Sequence, residues 1–117
     1  MAKINGFDYT SPALDDVQTE RCRQILIEGW TPEHDDLNHS PGQLCSSGAA
    51  YALNAAGSMQ QNRPTRTPRP HIGWQFDNEY WKPKNARRDL VRAAALIIAE
   101  IERIDRTQAR RLGLHRG

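Results

Sequence analysis

The strongest constraint on this chain is a helical pattern of aliphatic residues near its C-terminal end. The pattern predicts one long helix over residues 85–111, because aliphatic side chains recur there every three or four residues and share one side of a helix. Basic residues follow them, and cations are favoured at the C-terminal end of a helix. We expect this stripe to belong to the core. It contains Leu90, Ala94, Ile97, Ile98, Ile101 and Ile104.

A first helix is predicted over residues 11–28. Ser11 can cap it, Pro12 suits its first position, and Gly29 ends it. Beside its apolar face runs a second stripe, whose spacing places the side chains on one side of the helix at the border of the core. Polar groups at such a border either pair with another helix or line a cleft. The second stripe contains Val17, Arg21, Gln24 and Glu28.

A second helix is predicted over residues 41–56. Ser40 can cap it, Pro41 suits its first position, and Gln43 can reach back to the cap as in a capping box. Gly57 is expected to end it. Its inner face is made of mostly small residues, which would let another helix approach closely. They are Leu44, Gly48, Tyr51, Ala52 and Ala55.

Two segments between the second and third helices lack helical periodicity. Residues 58–72 alternate prolines with arginines, which favours an extended or mobile arm because proline lacks an amide donor. Residues 73–83 contain four aromatic residues and predict an irregular segment laid across the helices. The expected fold is therefore all-α: a small three-helix domain with an aromatic, Pro/Arg-rich irregular segment. We expect one domain over residues 1–117, with residues 1–10 as an N-terminal tail.

The composition narrows the class of protein. A hydrophobic fraction of 38% is low for a packed domain, so we expect a thin core, a long polar loop or a homo-oligomer that shares apolar surface. The net charge of +2 makes no strong case for DNA or RNA as a partner. Cys22 and Cys45 lack metal-type spacing and are expected to be reduced. No secretory signal or membrane span is expected, which favours the cytoplasm.

The loop over residues 30–39 is a candidate metal site. Carboxylates and imidazoles grouped in this way can bind a divalent cation such as Mg²⁺ or Mn²⁺. The alternative is that the acidic residues cap the next helix and the histidines are solvated. We prefer the capping interpretation, because no established coordination spacing is present, and we expect no cofactor. The candidate ligands are Glu33, His34, Asp35, Asp36 and His39.

Acidic residues on the last helix suggest a second chemistry. All-α nucleoside triphosphate pyrophosphohydrolases bind magnesium through carboxylates on facing helices, and Glu20 or Glu28 facing the last helix would resemble that arrangement. The paired E-E-x-x-E and E-x-x-D pattern of those enzymes is missing. Salt bridges, such as one between Arg21 and Glu100, explain the same residues. The acidic residues concerned are Asp89, Glu100, Glu102 and Asp105.

A third candidate site combines aromatic and basic residues. Aromatic faces stack on bases and arginine binds phosphate, so such a set can hold a nucleotide. The alternative is that the tryptophans complete a core short of large aliphatic residues. We favour this alternative for two of the three tryptophans and expect Trp81 to be half exposed. No residue stands in a nucleophile context, so no catalytic residue is predicted. The set contains Trp30, Trp74, Tyr80, Trp81, Lys82, Lys84, Arg87 and Arg88.

Several stretches of the chain resemble a family of small phage and prophage proteins. These stretches are ERCRQILIEGWTPEHDD at residues 20–36, WKP at 81–83 and RRDLVRAAALIIAEIERIDR at 87–106. The chain departs from the family at residues 46–48, where relatives carry more alanine, and in the Pro/Arg arm. The resemblance implies a phage accessory protein in a bacterial cytoplasm. It implies no particular mechanism.

These observations lead to one preferred function and two alternatives. The preferred function is a phage-encoded accessory binding protein, a homo-oligomer that recognises a nucleotide-like ligand or a host protein in counter-defence. The alternatives are a divalent-metal-dependent nucleotide hydrolase and a purely structural interaction module. The predicted ligand contacts are Arg21, Gln24, Glu28, Trp30, His34, Trp81, Lys82, Arg87 and Arg88.

Overall fold

The computed structural model describes residues 3–38 and 40–113. The all-α fold with an irregular segment before the last helix is confirmed. No helix in this described part has the length and apolarity that crossing a membrane requires. The described elements are a two-stranded hairpin, β1 (Lys3–Ile4) and β2 (Phe7–Asp8), and four α-helices, α1 (Pro12–Leu26), α2 (Pro32–Asn38), α3 (Gln43–Gln61) and α4 (Ala86–Arg111). A single turn of 3-10 helix, Asn78–Tyr80, lies in the irregular segment before α4.

The N-terminal segment, expected to be a tail, forms a short antiparallel hairpin. Ile4 pairs with Phe7, and the turn between them is Asn5-Gly6. Both turn residues have positive φ angles, 51° and 79°, which is the backbone geometry that Asn-Gly adopts in tight hairpins. The chain then enters α1 through Ser11, whose hydroxyl accepts a hydrogen bond from the Leu14 amide at 3.1 Å. The predicted cap is therefore confirmed.

The prediction of a loop over residues 30–39 is wrong, because α2 forms inside it. The Thr31 hydroxyl accepts a hydrogen bond from the His34 amide at 3.1 Å, and Pro32 occupies the first helical position. A threonine followed by a proline is an ordinary helix start. Because the segment between Gly29 and Pro41 is short, a loop was predicted there instead of a helix.

Both predicted ends of the second long helix, α3, are wrong. The Ser40 amide donates to the Gln43 side chain at 2.8 Å, as a capping box requires, but Gly42, with φ +89°, precedes the first helical residue. At the other end the helix continues past Gly57 to Gln61 and ends at Asn62, whose φ is +51°. Glycine inside a helix costs only about 1 kcal/mol, and tertiary contacts outweigh that cost here.

The Pro/Arg arm is irregular after residue 61 and is held against α3 at two points. The Thr65 carbonyl accepts a hydrogen bond from Asn54 at 2.7 Å, and the Thr65 hydroxyl lies 3.1 Å from that of Ser58. Farther along, the Thr67 hydroxyl accepts from the Trp81 indole at 3.1 Å. Arg63 adds a contact by donating to the Asn54 side chain at 3.4 Å, so the threonines and Arg63 together place the arm.

Helix α4 lies against both α1 and α3. Its predicted start is confirmed, since Asn85 caps it by accepting a hydrogen bond from the Arg88 amide at 2.9 Å. Close approach to α3 depends on Gly48. A Cβ atom at that position would lie only 2.9 Å from the Ala93 carbonyl oxygen. The α3–α4 pair therefore requires a residue without a side chain at this point.

The prediction that the aliphatic stripe of α4 belongs to the core is wrong. Ile101, for example, is 51% exposed, whereas Leu96, on another side of the helix, is 2% exposed. The stripe is real, but periodicity shows only that a helix has two faces and not which face another element covers. Small residues and paired carboxylates fill the buried face, named here the inner face: Asp89, Ala93, Leu96, Ala99 and Glu100.

The core is built around stacked aromatic rings. Trp81 is 6% exposed, and its ring lies parallel to that of Tyr51 with centroids 4.8 Å apart. The expectation that Trp81 would be half exposed is therefore wrong. Exposure of Trp81 was expected because Lys82 and Pro83 follow it in the sequence. Stacking on Tyr51 and the hydrogen bond to Thr67 instead hold the ring in the core. Trp30 and Trp74 pack against this cluster and are partly buried.

Candidate functional site

A cavity of about 750 Å³ opens beside the aromatic core. This volume lies within the range of about 300–1,000 Å³ that small-molecule sites occupy. Residues from α1, α2, α3, α4 and the aromatic segment meet around it. They include Glu20, Arg23, Gln24, Glu28, Trp30, His34, Tyr51, Trp74, Phe76, Tyr80, Lys82, Arg92 and Leu96.

Aromatic rings form one wall of the cavity. Trp74 meets Tyr51 edge to face at 5.3 Å and Phe76 edge to face at 5.4 Å, and Phe76 lies 5.8 Å from Trp30. These centroid distances are within the favourable range for aromatic pairs. Tyr80 lines the same cavity. The wall therefore joins α3, the aromatic segment and the connection between α1 and α2 by ring contacts, which also hold the rings in place.

Polar residues of α1 line another part of the cavity. The Glu20 carboxylate is buried and accepts hydrogen bonds from Arg23 at 2.9 Å and from Arg88 at 2.6 Å. Burial by itself would raise the pKa of Glu20, but these two guanidinium groups outweigh it and hold the pKa below its ordinary value. Glu20 therefore stays ionised and fixes both arginine side chains.

The Gln24 side chain has hydrogen-bonding capacity to spare. It is 3% exposed, and its amide nitrogen donates to Glu20 at 3.4 Å. No donor among the described residues reaches its amide oxygen, Oε1. A buried carbonyl oxygen without a partner costs about 1–3 kcal/mol, so it is a natural point of attachment for a molecule in the cavity.

Arg92 supplies a cation on the α4 side of the cavity. Its guanidinium donates to the Lys82 carbonyl at 2.5 Å and lies 5.6 Å from the centre of the Tyr51 ring. Its Nε has no hydrogen-bond partner among the described residues. The nearest carboxylate, Asp89, is 4.0 Å away. Burial raises the pKa of Asp89, and the Lys84 amide, Arg92 and Arg88 only partly offset that rise.

Five of the nine predicted ligand contacts line this cavity, and four do not. The four lie elsewhere: Arg87 and Arg88 line a separate groove of about 270 Å³ between α1 and α4, and Trp81 belongs to the core. The fourth, Arg21, is buried behind the cavity. Glu20 and Arg23 line both openings, so the groove adjoins the cavity. The five that line the cavity are Gln24, Glu28, Trp30, His34 and Lys82.

Arg21 joins three parts of the fold. It donates to Glu102 on α4 at 2.9 Å, to Asp35 on α2 at 3.5 Å, and to the Trp30 carbonyl at 3.5 Å. The suggested pair with Glu100 is not formed, because Glu100 accepts from Arg103 at 2.6 Å and from the Cys45 amide at 3.4 Å. Arg21 therefore holds in place both α2 and Trp30, which contribute His34 and the Trp30 ring to the cavity lining.

The candidate metal ligands of residues 33–36 belong to α2, and the helix directs their side chains to different surroundings. Asp35 is fully buried beside Arg21, whereas Asp36 accepts from Arg106 at 2.9 Å and contacts Arg110. Burial would raise the pKa of Asp36, but the two arginines hold it below its ordinary value. Glu33 is exposed, His34 faces the cavity, and His39 lies outside the described residues. Within the described part, no three His, Cys, Asp or Glu side chains are grouped to hold a metal ion.

Several cavity residues were not predicted as contacts. Arg23 and Arg92 were not assigned any role from the sequence, and Phe76 was counted only among the four aromatic residues at 73–83. Tyr51 was assigned to the inner face of its helix, which is correct, but its hydroxyl also accepts from the Lys82 amide at 3.2 Å beside the cavity. The one available signal was the crowding of aromatic residues at 73–83, which marks the wall.

Scans of protein-family models, of curated proteins and of solved structures found no match to this chain.

Proposed function

We propose that this protein is a binding module whose cavity holds a nucleotide-like ligand, meaning a planar nitrogen heterocycle that carries an anionic group. The observation that carries this proposal is the buried, unsatisfied Gln24 oxygen beside an aromatic wall. Heterocyclic bases offer N–H donors at their edges and a flat face for stacking. An aliphatic ligand would use the wall and leave the amide unpaired.

Carboxylates and basic side chains both line the cavity, and the basic side chains that are least engaged by carboxylates support the anionic half of the ligand. Arg23, Lys82 and Arg92 line it, and arginine binds phosphate in a two-pronged geometry. Arg23 is already bound to Glu20 and Glu28, at 2.9 Å and 2.7 Å. Arg92, with only a 4.0 Å ion pair, is the more available cation. We therefore place the anionic group near Arg92 and Lys82.

The biological setting of this binding is also a proposal. The resemblance to small phage proteins supports a phage accessory role in a bacterial cytoplasm, with counter-defence by sequestering a nucleotide signal as one form of it. A concave cavity favours a small molecule over a host protein as the ligand, because protein partners are usually met by broader and flatter surfaces.

A metal-dependent nucleotide hydrolase is the second candidate. The observation in its favour is that two carboxylates, Glu20 and Glu28, line the same cavity as the aromatic wall. Both accept hydrogen bonds from Arg23, which competes with any metal ion. A hydrolase would need these carboxylates to exchange the arginine for a divalent cation when the substrate binds.

The test of binding is a titration of the protein with nucleoside mono- and triphosphates. Binding is monitored by the change in tryptophan fluorescence and by the change in melting temperature. A ligand that binds only the folded protein raises the melting temperature by mass action. We expect Gln24→Leu to weaken binding at least tenfold. Gln18→Leu, the same change at an exposed position of α1, should have no effect. Equal affinities for the two variants, or no binding by any nucleotide, would contradict the proposal.

The same nucleotide panel distinguishes the hydrolase. With Mg²⁺ or Mn²⁺ added, release of phosphate or pyrophosphate that Glu28→Gln abolishes would favour the enzyme over the binding module. The α2 carboxylates are tested separately by Asp35→Asn combined with Asp36→Asn. We expect that double variant to lose stability equally with and without metal, because Asp35 and Asp36 are bound to arginines.

A further inference from the structure

We infer that two copies of this chain associate through the exposed stripe of α4, with the two α4 helices antiparallel. The stripe consists of Leu90, Ala94, Ile97, Ile98, Ile101 and Ile104. Each of its leucine and isoleucine residues is between 36% and 51% exposed in the single chain. A contiguous aliphatic surface of this kind on a folded domain marks an interaction site.

The spacing within the stripe fits a second helix. From Leu90 to Ile104 the aliphatic residues recur at intervals of four, three, four and three, through Ala94, Ile97 and Ile101. This spacing places them in one seam along a helix, as at the core positions of a coiled coil. Ile98 widens the seam on one side. α4 has 26 residues and is therefore about 39 Å long, which is long enough for two copies to pack side by side.

Charged residues at the two ends of the stripe favour a second copy of this chain as the partner and an antiparallel direction of the two helices. Arg87 and Asp105 are 18 residues apart, about five full turns, so they lie at the same edge of the stripe. In an antiparallel pair Arg87 of each copy comes near Asp105 of the other, and these opposite charges attract. In a parallel pair the two-fold axis runs along the helices and puts this edge of the two copies on opposite sides of the contact, so Arg87 and Asp105 would not meet. The exposed ion pair of Arg87 with Asp16 is weak enough to rearrange.

The arrangement leaves both cavities open. Arg92 and Leu96, the α4 residues that line the cavity, lie on the other side of the helix from Leu90 and Ile101 at about 100° per residue. A two-fold pair through the stripe is self-complementary and closes on itself, so it stops at two copies. The dimer would thus present two cavities that face away from its centre.

The first test is sedimentation velocity of the full chain from about 1 to 100 μM. We expect a dimer for the wild type and a monomer for Ile97→Glu combined with Ile101→Glu, with the dissociation constant raised at least a hundredfold. The control is Leu53→Glu, an equally exposed aliphatic residue on α3, which should stay dimeric. Because Ile97 and Ile101 are 40% and 51% exposed and lie outside the inner face, we expect both variants to fold, and circular dichroism checks this.

Three outcomes would overturn the inference. One is a wild type that is monomeric throughout the concentration range. Another is a dimer that survives the double change. The third is a monomer that cosediments with anionic phospholipid vesicles through the same isoleucines, which would assign the stripe to a lipid surface.

The second test is disulfide trapping, which reads the direction of the helices. In a background of Cys22→Ser and Cys45→Ser, the change Ile97→Cys places a thiol at the middle of the stripe, where antiparallel copies meet. Ile104→Cys places thiols near the two ends, about 20 Å apart in that arrangement. We expect oxidation to link the first variant and not the second. Efficient linking of both would indicate a parallel pair and contradict the antiparallel arrangement.

Discussion

The two faces of α4 differ in a way that hydrophobicity alone does not anticipate. The inner face contains small residues with one leucine and two carboxylates, and it is covered by α1, α3 and the aromatic segment. The opposite face contains the leucine and isoleucines of the stripe, and it remains exposed in the single chain. The comparison shows that the core of this domain is selected by shape and pairing, whereas its most apolar surface stays exposed in the single chain.

The reason lies in what the inner face must accept. The helix α3 approaches closely at Gly48, and the Tyr51 and Trp81 rings fill the remaining space, so the inner face of α4 has no room for large aliphatic residues besides Leu96. The carboxylates are tolerated because each has donors: Asp89 accepts from the Lys84 amide at 3.0 Å, and Glu100 accepts from Arg103. Buried charges with such partners cost far less than isolated ones.

The largest expected difference in stability between the two faces is found by shortening one side chain on each face. Leu96→Ala should lower the free energy of unfolding by about 2–5 kcal/mol, because it removes a buried side chain from the core. Ile101→Ala removes a half-exposed side chain and should cost less than about 1 kcal/mol in the dissociated chain. Urea unfolding at low micromolar concentration measures both.

Protein concentration separates the two faces further. The loss of unfolding free energy caused by Leu96→Ala should be independent of protein concentration. The loss caused by Ile101→Ala should increase at concentrations where the wild type is dimeric, because only folded chains dimerise and dimerisation therefore stabilises the wild type. If the two variants were equally destabilised at every concentration, the distinction between the inner face and the stripe would fail.

The sequence predicts elements better than it predicts what covers them. Ser11 and Asn85 mark the starts of α1 and α4 correctly because a cap is a local interaction, complete within three residues. The stripe of α4 was recognised, but it was wrongly predicted to be buried in the core. The spacing of a helix's apolar residues does not say which element covers them. Trp81 was misjudged for the same reason: its burial depends on Tyr51, thirty residues earlier in the chain.

The candidate site shows the same division between local and tertiary signals. The polar stripe of α1 was predicted to pair with another helix or to line a cleft, and the structure divides it between the two. Gln24 and Glu28 line the cavity, whereas Arg21 pairs with α4. Arg92 and Phe76 could not be assigned, because they reach the cavity only when the aromatic segment packs between α3 and α4.

An intermediate effect is expected from the two carboxylates of the inner face, whose pKa values move in opposite directions. Burial would raise the pKa of Glu100, but its hydrogen bonds with Arg103 and the Cys45 amide hold it below the ordinary value. Burial raises the pKa of Asp89. The stability from Glu100 is therefore present above about pH 4.3, the unfolded value, and is lost as the pH falls through the folded pKa. For Asp89 the stability is present below about pH 3.9 and is lost as the pH rises through the folded pKa.

This pKa difference predicts opposite pH trends for two conservative variants. Glu100→Gln should cost about 1–3 kcal/mol at pH 7 and progressively less as the solution is acidified. Asp89→Asn should cost less at pH 7 than at pH 4. Urea unfolding between pH 3.5 and 7.5 measures both. Parallel trends for the two variants would mean that Arg103 does not stabilise the Glu100 carboxylate.

The smallest effect concerns the glycine that brings α3 and α4 together, compared with a second glycine in the same helix. An alanine Cβ at Gly48 would lie 2.9 Å from the Ala93 carbonyl and 3.3 Å from the Ile97 side chain. At Gly57 the nearest atom is the end of the Arg63 guanidinium, at 2.6 Å, which can move aside. Alanine is the better helix former by about 1 kcal/mol at both positions.

Gly48→Ala should therefore destabilise the protein by a net of about 1–2 kcal/mol, since overpacking a fixed backbone outweighs the gain in helix propensity. Gly57→Ala should be neutral or slightly stabilising. Because the added methyl at residue 48 also presses on Ile97, at the edge between the two faces, Gly48→Ala should weaken self-association as well, and Gly57→Ala should not. Thermal unfolding and sedimentation of the two variants measure these effects. A stable, dimeric Gly48→Ala protein would show that α4 can move away from α3 without disturbing the stripe, and the two faces would then be independent of each other.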